Sequence, residues 1–495
     1  MKRGAMTAVQ TAIATDYERI FGPKKIAIVG VSTEGAGFGS GIFYALRAIG
    51  YSGEIFLVNP KGGTLQGEKI YTSVDEIPGT FDLAIIAVAA RAVPSVLEAC
   101  LRKGAAGAEI ISSGFKELGT AEGIDLEDKI VRIAARGIRV IGPNCFGIYC
   151  PQSGLTVLPG PDLSRDSGPV GFSSQSGGMA VDFANTGKSI GLTFSKVISF
   201  GNGADLRETE LLRYFGDDPQ TGIVTMYIEG IQDGDDFFCA LRSTARKKPV
   251  IVFKGGLSDA GARAVSSHTA SMGGSRMIWQ AIVRQANAIQ VYDMSEMAQT
   301  ALAFAMLPQH PCRQISVLGG GGALGVAAAD AAESFGLQIP AFAPELAQQI
   351  DALLPKPGSS PGNPVDVANP FVLPEVLKKV LYLAAEDARI DLQIFVSLLS
   401  HYKNLAVKNG CALAQVMPYR ELADDFKEVM RQTGKPVVIV LPNPRRGLDH
   451  LDVVAALTEA RQVFIENGIA VFDDLTECLR AIGHVNAYYG GRAHE

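Results

Sequence analysis

The stretch IAIVGVSTEGAGFGSG, from Ile26 to Gly41, decides the fold class. A short apolar run leads into a glycine-rich turn, and an amphipathic segment and a second apolar run, IFLVNP, follow. Strands of a parallel sheet are buried on both faces, so they are continuously apolar instead of alternating. The stretch therefore predicts a strand, a turn and a helix of an α/β domain.

The same alternation continues through the chain. Further apolar runs are LAIIAVA, AEIISSG, IRVIGPN, PVGFSS, TFSKVIS, GIVTMYI, PVIVFKGG, ISVLGGGG, LQIFVSLL and PVVIVLP. Two segments interrupt the alternation. Residues 150–168 are rich in Pro, Gly and Ser, and residues 307–314 are rich in Pro. Alternating strands and helices predict doubly wound α/β domains. We expect three of them, at residues 1–150, 151–310 and 311–495.

Composition excludes several classes of protein. The 495 residues carry a net charge of -6 without a basic stripe, which argues against binding of nucleic acid or anionic membrane. The N-terminus has only a broken apolar run, so we expect no signal peptide, and no apolar run is long enough for a membrane span. Seven cysteines without a C-x-x-C pair favour a reduced, cytoplasmic protein without a metal site.

The first glycine cluster suggests a nucleotide-binding turn, but not an ordinary NAD site. No register of Gly30–Gly41 fits G-x-G-x-x-G. The second strand ends in Asn59-Pro60-Lys61-Gly62-Gly63, where an NAD enzyme usually has an acidic residue. A lysine suits a nucleotide with an additional phosphate, such as NADP or coenzyme A. The alternative is that these glycines only allow a tight turn.

A second glycine cluster, Gly319 to Gly325, does contain G-x-G-x-x-G, from Gly320 to Gly325. Glu345 lies about twenty residues further on, as the dinucleotide-binding pattern requires. A single match is weak evidence, because any strand-to-helix turn with close packing favours glycine. Nucleotide binding and simple packing both remain open for this turn.

Several motifs, in order, resemble one family. They are IAIVGVS, FLVNPKGG, IISSGF, IGPNCFGI, SSQSGG, SFGNGAD, YIEGIQD, SSHTASMGGS and NPVDV. Together they resemble the α subunit of the NDP-forming acyl-CoA synthetases, which include ADP-forming acetyl-CoA synthetases and are related to succinyl-CoA synthetase. The resemblance implies a Rossmann-like CoA-binding domain followed by two flavodoxin-like domains, the first of which carries a phosphohistidine.

The resemblance also implies site residues. The positions that would contact CoA are Ser32, Gly35, Gly37, Lys61, Val88, Ala89, Ser112, Ser113, Gly114, Phe115, Asn144 and Cys145. The positions that would hold phosphate or an acyl phosphate are Gln175, Ser176, Gly177, Gly178 and Asn202. Ser176 and Gly177 would begin a helix whose N-terminus attracts anions. Ser176 could equally be a plain N-cap, and Asn202 a plain turn residue.

His268 is the implied phosphorylated residue, with Glu229 as the carboxylate behind it. A neutral imidazole can accept a phosphoryl group, and a carboxylate on its other nitrogen fixes the tautomer. The small residues around His268 predict a flexible arm. With about ten residues on each side of the histidine, the arm could reach at most ~35 Å from its anchors. The alternatives are a structural histidine and a loop carboxylate that pairs with a nearby base.

The implied activity is that of a carboxylate–CoA ligase: a small carboxylic acid, CoA and ATP give acyl-CoA, ADP and phosphate. The ATP-grasp domains that bind ATP/ADP with Mg²⁺ in this family are not recognisable in the chain. We therefore expect a separate ATP-grasp β-type subunit and a hetero-oligomer. The alternatives are a catalytically silent CoA-binding scaffold or sensor and, less favoured, an NADP-linked oxidoreductase.

Overall fold

The computed structural model describes residues 15–158, 163–269, 275–445 and 447–492, without the side chains of residues 266–269 and 492. The chain divides into two compact units. The first unit comprises Met1–Asn185, Phe194–Leu241 and Lys254–Trp279, and the second comprises Thr186–Thr193, Arg242–Phe253 and Gln280–Glu495.

The first sheet has the strand order of a dinucleotide-binding fold. Its strands are β1 (Lys25–Val29), β2 (Glu54–Val58), β3 (Gly63–Leu65), β4 (Glu68–Tyr71), β5 (Leu83–Ile86), β6 (Gly107–Ile110) and β7 (Arg139–Ile141). They lie in the order β3-β4-β2-β1-β5-β6-β7, and all pairs are parallel except the edge pair β3–β4. Without β3, this is the Rossmann order, in which ligands bind at the carboxyl ends of the strands.

The helices of this part are α1 (Tyr17–Phe21), α2 (Phe38–Ala48), α3 (Val93–Arg102) and α4 (Ala121–Ala134). One face of the sheet forms a core with α3 and α4, in which Val29, Ile86, Leu97 and Ile130 are almost completely buried. α2 begins within the first glycine cluster, at Phe38. Gly39 in this helix lies so close to the turn that a Cβ there would be 2.6 Å from the Gly30 carbonyl oxygen, so this packing requires glycine.

Within the first unit, the second sheet runs in the order β12-β10-β11-β8-β9. These strands are β8 (Gly147–Cys150), β9 (Leu155–Thr156), β10 (Ser167–Ser174), β11 (Phe194–Ser199) and β12 (Ile223–Ile228). The helices that follow β10, β11 and β12 in the chain are α5 (Gly177–Ser189), α6 (Glu208–Asp217) and α7 (Gly234–Ala245). The pairs β10–β11 and β10–β12 are parallel, while β8 and β9 are antiparallel additions at one edge.

The elements that follow are β13 (Val250–Lys254), α8 (Asp259–Thr269), α9 (Arg276–Gln285), β14 (Ile289–Val291) and α10 (Met294–Met306). In the second unit, β13 pairs with β14 in parallel.

The third sheet, also in the second unit, is entirely parallel. Its strands are β15 (Ile315–Gly319), β16 (Val365–Asp366), β17 (Leu392–Val396), β18 (Val437–Val440) and β19 (Val471–Phe472). Its helices are α11 (Gly322–Ser334), α12 (Pro344–Asp351), α13 (Pro374–Glu386), α14 (Tyr402–Asn409), α15 (Leu413–Val416), α16 (Tyr419–Thr433), α17 (Leu451–Glu466) and α18 (Leu475–Arg492). The order β16-β15-β17-β18-β19 is that of flavodoxin.

The predicted α/β fold with Rossmann-like and flavodoxin-like parts is confirmed. All the apolar runs named above lie on parallel strands. The hairpin β3–β4 and the pair β8–β9 were not predicted, because strands of two to four residues are too short to show a pattern. Among the described residues, no helix is both long and apolar enough to cross a membrane.

Candidate active site

A cavity of about 500 Å³ lies where several turns of the first unit converge. It is lined by Phe38 at the start of α2, Ala87 after β5, Ile111, Ser112 and Ser113 after β6, Asn144, Cys145 and Phe146 after β7, and Gln175, Ser176, Gly177 and Gly178 at the start of α5. Eight of the predicted site residues thus line one cavity: Ser112, Ser113, Asn144, Cys145, Gln175, Ser176, Gly177 and Gly178. We refer to it as the polar cavity.

Backbone contacts hold the first-sheet side of the polar cavity. The Asn144 amide donates to the Ser112 carbonyl at 2.9 Å, and the Ser112 hydroxyl donates to the Val88 carbonyl. Asn144 has a φ of 58°, a left-handed conformation that asparagine tolerates better than most residues. The turns after β5, β6 and β7 are therefore tied to one another, so the hydroxyl and amide groups there have defined positions.

The other side of the polar cavity is the N-terminus of α5. Ser176 is the residue before the helix, and its Oγ accepts from the Met179 amide at 3.4 Å. The first amides of a helix have no acceptor within the helix and lie at its positive end, so they favour an anion. Gly177 is required by packing, because a Cβ there would be 2.8 Å from the Phe146 ring. Both predicted roles of Ser176, N-cap and anion-site residue, are compatible with this geometry.

Gln175 connects this helix to Glu229. Its Oε1 accepts from the amides of Glu229 at 2.8 Å and Gly230 at 3.1 Å, and it is buried. The Glu229 carboxylate accepts from the Tyr227 hydroxyl at 3.1 Å, and Lys254 Nζ donates to the Glu229 carbonyl at 2.6 Å. Burial lowers the pKa of Lys254, although the charge of Glu229 opposes this. Glu229 therefore has a fixed position beside the α5 turn, without lining the polar cavity.

Asn202 lies behind the polar cavity, not in its wall. Its Nδ2 donates to Glu117 at 2.6 Å and to Glu127 at 2.8 Å, and its Oδ1 faces Asn144 Nδ2 at 3.4 Å. The backbone amide of Asn202 donates to the Pro143 carbonyl at 3.0 Å. We call Asn202, Glu117 and Glu127 the amide–carboxylate cluster. These contacts join Asn202 to the Asn144 turn, and the contact with phosphate that the resemblance implied stays a prediction.

The two carboxylates of this cluster differ in their pKa. Burial raises the pKa of Glu117, but hydrogen bonds from Asn202 and from the amides of Gly114 and Phe115 outweigh it, so that the pKa is lowered. For Glu127 burial prevails over the hydrogen bond from Asn202, and the pKa is raised. The cluster therefore takes up its first proton at Glu127 when the pH falls.

A second buried carboxyl, Glu109, lies beneath the turn that contains Cys145. It is fully buried, and its Oε2 accepts from the Ile148 amide at 3.2 Å. Burial raises the pKa of Glu109 to about 8, against that hydrogen bond, so the group is mostly neutral at pH 7. Burial is also the main cause of the raised pKa of the Cys145 thiol, and the charge of Glu109 raises it further. Cys145 is therefore a thiol, and not a thiolate nucleophile.

The remaining predicted CoA positions lie outside the lining of the polar cavity. Ser32 organises the first turn, since its amide donates to Ser40 Oγ at 2.9 Å and its carbonyl accepts from the Gly35 amide at 3.1 Å. Lys61 is exposed, and its amide donates to Asn59 Oδ1 at 2.9 Å. Gly37, with a φ of 95°, precedes α2.

Four further positions follow strands β5 and β6. Ala89 is exposed and Val88 is half-buried. Gly114 has a φ of 113° and its amide donates to Glu117 at 2.6 Å. Phe115 is completely buried in the core of the first sheet, so that a ligand could reach only its backbone.

His268 lies near the end of α8, but its side chain and residues 270–274 fall outside the described residues. Up to Thr269 the segment is helical, which differs from the flexible arm predicted from its small residues. Ala260, Ala262 and Ala264 favour a helix strongly, and the Ser258 hydroxyl accepts from the Gly261 amide at 3.1 Å as an N-cap. Alanine content was interpreted as flexibility where it stabilises a helix.

The second glycine cluster begins α11 in the second unit. The Gly321 amide donates to Asp366 Oδ1 at 2.9 Å, and Gly321, Gly322 and Asp366 line a cavity of about 330 Å³. Glu345 lies at the start of α12, away from the lining of this cavity. Nucleotide binding at this turn stays untested.

Comparison with known proteins identifies the family. Residues 24–151 match the family model described as CoA binding domain, and residues 167–304 match the one described as succinyl-CoA ligase like flavodoxin domain. The chain is 38% identical over 472 residues to the α subunit of acetate–CoA ligase (ADP-forming) I of Pyrococcus furiosus, covering 94% of this chain and 96% of that one. The chain belongs to the ADP-forming acyl-CoA ligase family. Its extent corresponds to the α subunit of these acid–thiol ligases.

Longer members and a solved structure agree with this. The acetate–CoA ligase (ADP-forming) I of Archaeoglobus fulgidus is 34% identical over 85% of this chain, which spans 61% of that enzyme. The acetyl-coenzyme A synthetase 1 of Ca. Korarchaeum cryptofilum, solved in complex with phosphate and ADP, is 28% identical with a TM-score of 0.80. The match covers 97% of this chain and 98% of that one. The predicted family is confirmed.

Sequence reasoning missed part of the site. Phe38, Ala87, Ile111 and Phe146 line the polar cavity, and Glu117 and Glu127 hold Asn202. Phe38 and Phe146 stand inside quoted glycine-containing motifs, and this position was the available signal. No sequence signal pairs Asn202 with carboxylates 75 or more residues away.

Proposed function

We propose that the chain is the α subunit of an ADP-forming ligase that joins a small carboxylic acid to CoA through a phosphohistidine at His268. The observation that carries the proposal is the polar cavity, in which the amide end of α5 faces hydroxyl and amide groups at the carboxyl ends of the first-sheet strands. An anion and a thioester-forming group can meet there. Family membership supports CoA as the substrate and ATP/ADP as the nucleotide.

The proposed chemistry has two exchanges. The phosphohistidine N–P bond breaks as a carboxylate oxygen of the acid attacks phosphorus, which forms the acyl phosphate and restores neutral imidazole. The CoA sulfur, having lost its proton to solvent, then attacks the acyl carbon, so that the thioester forms and phosphate leaves. The α5 amides at Gly177 and Gly178 stabilise negative charge on the phosphoryl oxygens in both exchanges.

Supporting residues have separate parts in this scheme. Glu229 would accept the second imidazole N–H of His268 and stabilise the charge that develops on the ring. Gln175 fixes the Glu229 backbone to the α5 turn, and Asn202 fixes the Asn144 turn. Ser112, Ser113 and Asn144 supply hydrogen bonds to the end of CoA that carries the sulfur. Lys61, exposed after β2, would pair with a phosphate of CoA.

His268 would be phosphorylated from ATP by a separate chain. We expect an ATP-grasp β subunit to hold ATP and Mg²⁺, and the two chains to form a hetero-oligomer. All seven cysteines of the chain are unpaired thiols, which fits a reducing compartment such as the cytoplasm. The chain alone should make no acyl-CoA from ATP. Thioester formation from ATP by the purified chain would overturn the need for a partner.

Calorimetric titration of the full chain with CoA, NADP and NAD tests the assignment. We expect CoA to bind and the two nicotinamide nucleotides to bind at least about a hundredfold more weakly. Binding of NADP without CoA would overturn the proposal in favour of an oxidoreductase. Binding of CoA without any phosphorylation of His268 from acetyl phosphate would favour the silent scaffold.

A further inference from the structure

A group of polar side chains surrounds Glu229, directly after β12. Tyr227 is the last residue but one of β12, and Lys254 is the last residue of β13. All three residues belong to the first unit. Glu229 and Lys254 leave only 6% and 7% of their surface exposed. We call Tyr227, Glu229 and Lys254 the strand-end cluster.

Lys254 donates to two backbone oxygens. Its Nζ lies 2.6 Å from the Glu229 carbonyl oxygen and 2.5 Å from the Gly255 carbonyl oxygen. The Gly255 amide in turn donates to the Ile228 carbonyl at 2.9 Å. The backbone at Glu229 is thus held from Lys254 and Gly255 as well as from Gln175, which restricts rotation of the residue at the end of its strand.

Tyr227 holds the carboxylate itself. Its hydroxyl donates to Glu229 Oε1 at 3.1 Å, and residues two apart on a strand lie on the same face. Burial and the charge of Glu229 raise the pKa of Tyr227, so the hydroxyl keeps its proton and remains a donor. A Cβ on Gly255 would be 3.0 Å from the Tyr227 hydroxyl and 3.5 Å from Glu229 Cγ, so the backbone of Gly255 packs against both side chains.

Lys254 also supplies charge to the strand-end cluster. Burial lowers the pKa of Lys254, so keeping an ammonium group here costs free energy. The charge of Glu229 opposes this effect, so the two charges stabilise each other. A buried carboxylate needs a cation or hydrogen-bond donors to offset its loss of water. Lys254 and Tyr227 provide one of each.

The proposed function makes this compensation necessary at one stage. His268 would carry its phosphoryl group to or from a partner chain, and Glu229 then lacks the imidazole N–H. We infer that Tyr227 and Lys254 are positioning residues of the relay, which hold the Glu229 carboxylate in place and balance its negative charge while His268 is away. The inference rests on the proposed function, since only a relay separates the two side chains. Without these residues, the returning imidazole meets a carboxylate that has turned away.

The test measures the initial rate of His268 phosphorylation from acetyl phosphate, using the full chain without nucleotide, and CoA affinity by calorimetry. Tyr227→Phe removes only a hydroxyl and should slow labelling roughly threefold to tenfold, as expected for one hydrogen bond. Lys254→Met keeps an unbranched side chain of similar length but removes the charge. It should slow labelling roughly tenfold to a hundredfold. CoA affinity should change by less than about twofold in both variants, because neither residue lines the polar cavity.

Matched controls make the same changes elsewhere. The buried Tyr51 hydroxyl donates to the Pro23 carbonyl at 2.8 Å, so Tyr51→Phe also removes one buried hydrogen bond. Lys435 Nζ donates to the carbonyls of Ala385 and Asp387 at 2.7 and 2.8 Å, so Lys435→Met also removes an ammonium group bound to two backbone oxygens. Neither control should change the rate of labelling.

A double-mutant comparison separates positioning from a general effect on the fold. If Tyr227 and Lys254 act through the Glu229 carboxylate, adding Tyr227→Phe or Lys254→Met to Glu229→Gln should slow labelling by less than a further factor of about two. A general effect on the fold would instead give the same factor in both backgrounds.

Unchanged labelling in Tyr227→Phe and Lys254→Met would overturn the inference and leave the proposed function intact. A change in only one variant would withdraw the role from the other residue. Equal factors with and without the Glu229 carboxylate would also overturn the inference. Absence of label on His268 in the unaltered protein would overturn the proposed function, and the inference with it.

Discussion

The polar cavity and a second cavity of about 380 Å³ along α2, here called the apolar cavity, share Phe38, Ile111 and Phe146 and differ in the groups that surround them. The polar cavity is formed by turns, where backbone amides, hydroxyls and Asn144 point inward from the ends of several strands. The apolar cavity is formed along α2, where side chains repeat at helical spacing. The polar lining therefore comes from strand ends, whereas much of the apolar lining comes from one helix face.

Breaking the polar cavity without filling the apolar one should give the largest effect. Gly177→Ala places a Cβ 2.8 Å from the Phe146 ring, so the α5 turn or the ring must shift. We expect phosphorylation of His268 from acetyl phosphate to slow by roughly 10²–10³-fold, as when a positioned oxyanion donor is lost. Rapid-quench labelling measures the rate.

Gly178→Ala is the matched comparison, since its Cβ would have no neighbour closer than 4.0 Å. It should slow labelling by at most a few-fold. Equal losses in the two variants would contradict the role assigned to Gly177 and the helix N-terminus.

Replacing Asn202 tests the amide–carboxylate cluster. Asn202→Ala leaves Glu117 and Glu127 facing each other without the shared donor, and we expect a loss of about 2–4 kcal/mol in stability. The loss should shrink near pH 5, because Glu127, whose pKa is raised, takes up a proton and can donate to Glu117. Thermal unfolding at pH 5 and pH 7.5 measures both effects.

Glu122→Gln is the control. Glu122 lies on α4, the helix that carries Glu127, but it is exposed and pairs with Arg91 at the surface. It should change stability by less than about 0.5 kcal/mol. An Asn202→Ala protein as stable as the unaltered one would mean that the amide–carboxylate cluster does not position the Asn144 turn.

Glu109, under the turn beside both cavities, should make stability depend on pH. Its folded-state pKa of about 8 lies above the value of 4.5 for an unperturbed Glu, so the folded state holds a proton that the unfolded state has released between these pH values. Stability therefore falls as the pH rises through this window, by at most about 1.4 kcal/mol per pH unit.

Glu109→Gln should remove this slope. The stability of the variant relative to the unaltered protein should therefore be higher at pH 7.5 than at pH 5.5 by roughly 2 kcal/mol. Urea unfolding of both proteins at the two pH values provides the comparison. A slope that is the same in both proteins would show that Glu109 is not held neutral by burial.

The smallest effect should come from outside both cavities. Lys61→Glu places a negative charge where a CoA phosphate is expected, and we predict a loss of roughly tenfold in CoA affinity, because the side chain is exposed and screened. Lys69→Glu, on the neighbouring strand β4, should have little effect. Calorimetry in low and high salt should show the difference between the two variants narrowing as salt rises.

Much of the fold followed from the sequence because buried parallel strands are uniform. The runs AEIISSG, IRVIGPN and PVGFSS, which contain or lead to Ser112, Asn144 and Ser176, were all recognised as strands leading into turns, and their convergence follows from sheet geometry. The contacts of Asn202 with Glu117 and Glu127 were not predicted, because these partners are distant in sequence. The segment before His268 was misjudged because alanine and serine are common both in flexible segments and in helices. The apolar cavity could not be predicted, since it depends on how α2 lies against the ends of β6 and β9.

In the proposed relay, a phosphoryl group passes from the polar cavity to His268. The most direct measurement incubates the purified chain with acetyl-CoA and radiolabelled phosphate, without nucleotide, and digests the product for mass spectrometry. We predict an acid-labile, base-stable label on His268, which is absent from His268→Ala and forms roughly 10²–10⁴-fold more slowly in Glu229→Gln. No label on His268, or an equal label in His268→Ala, would contradict it.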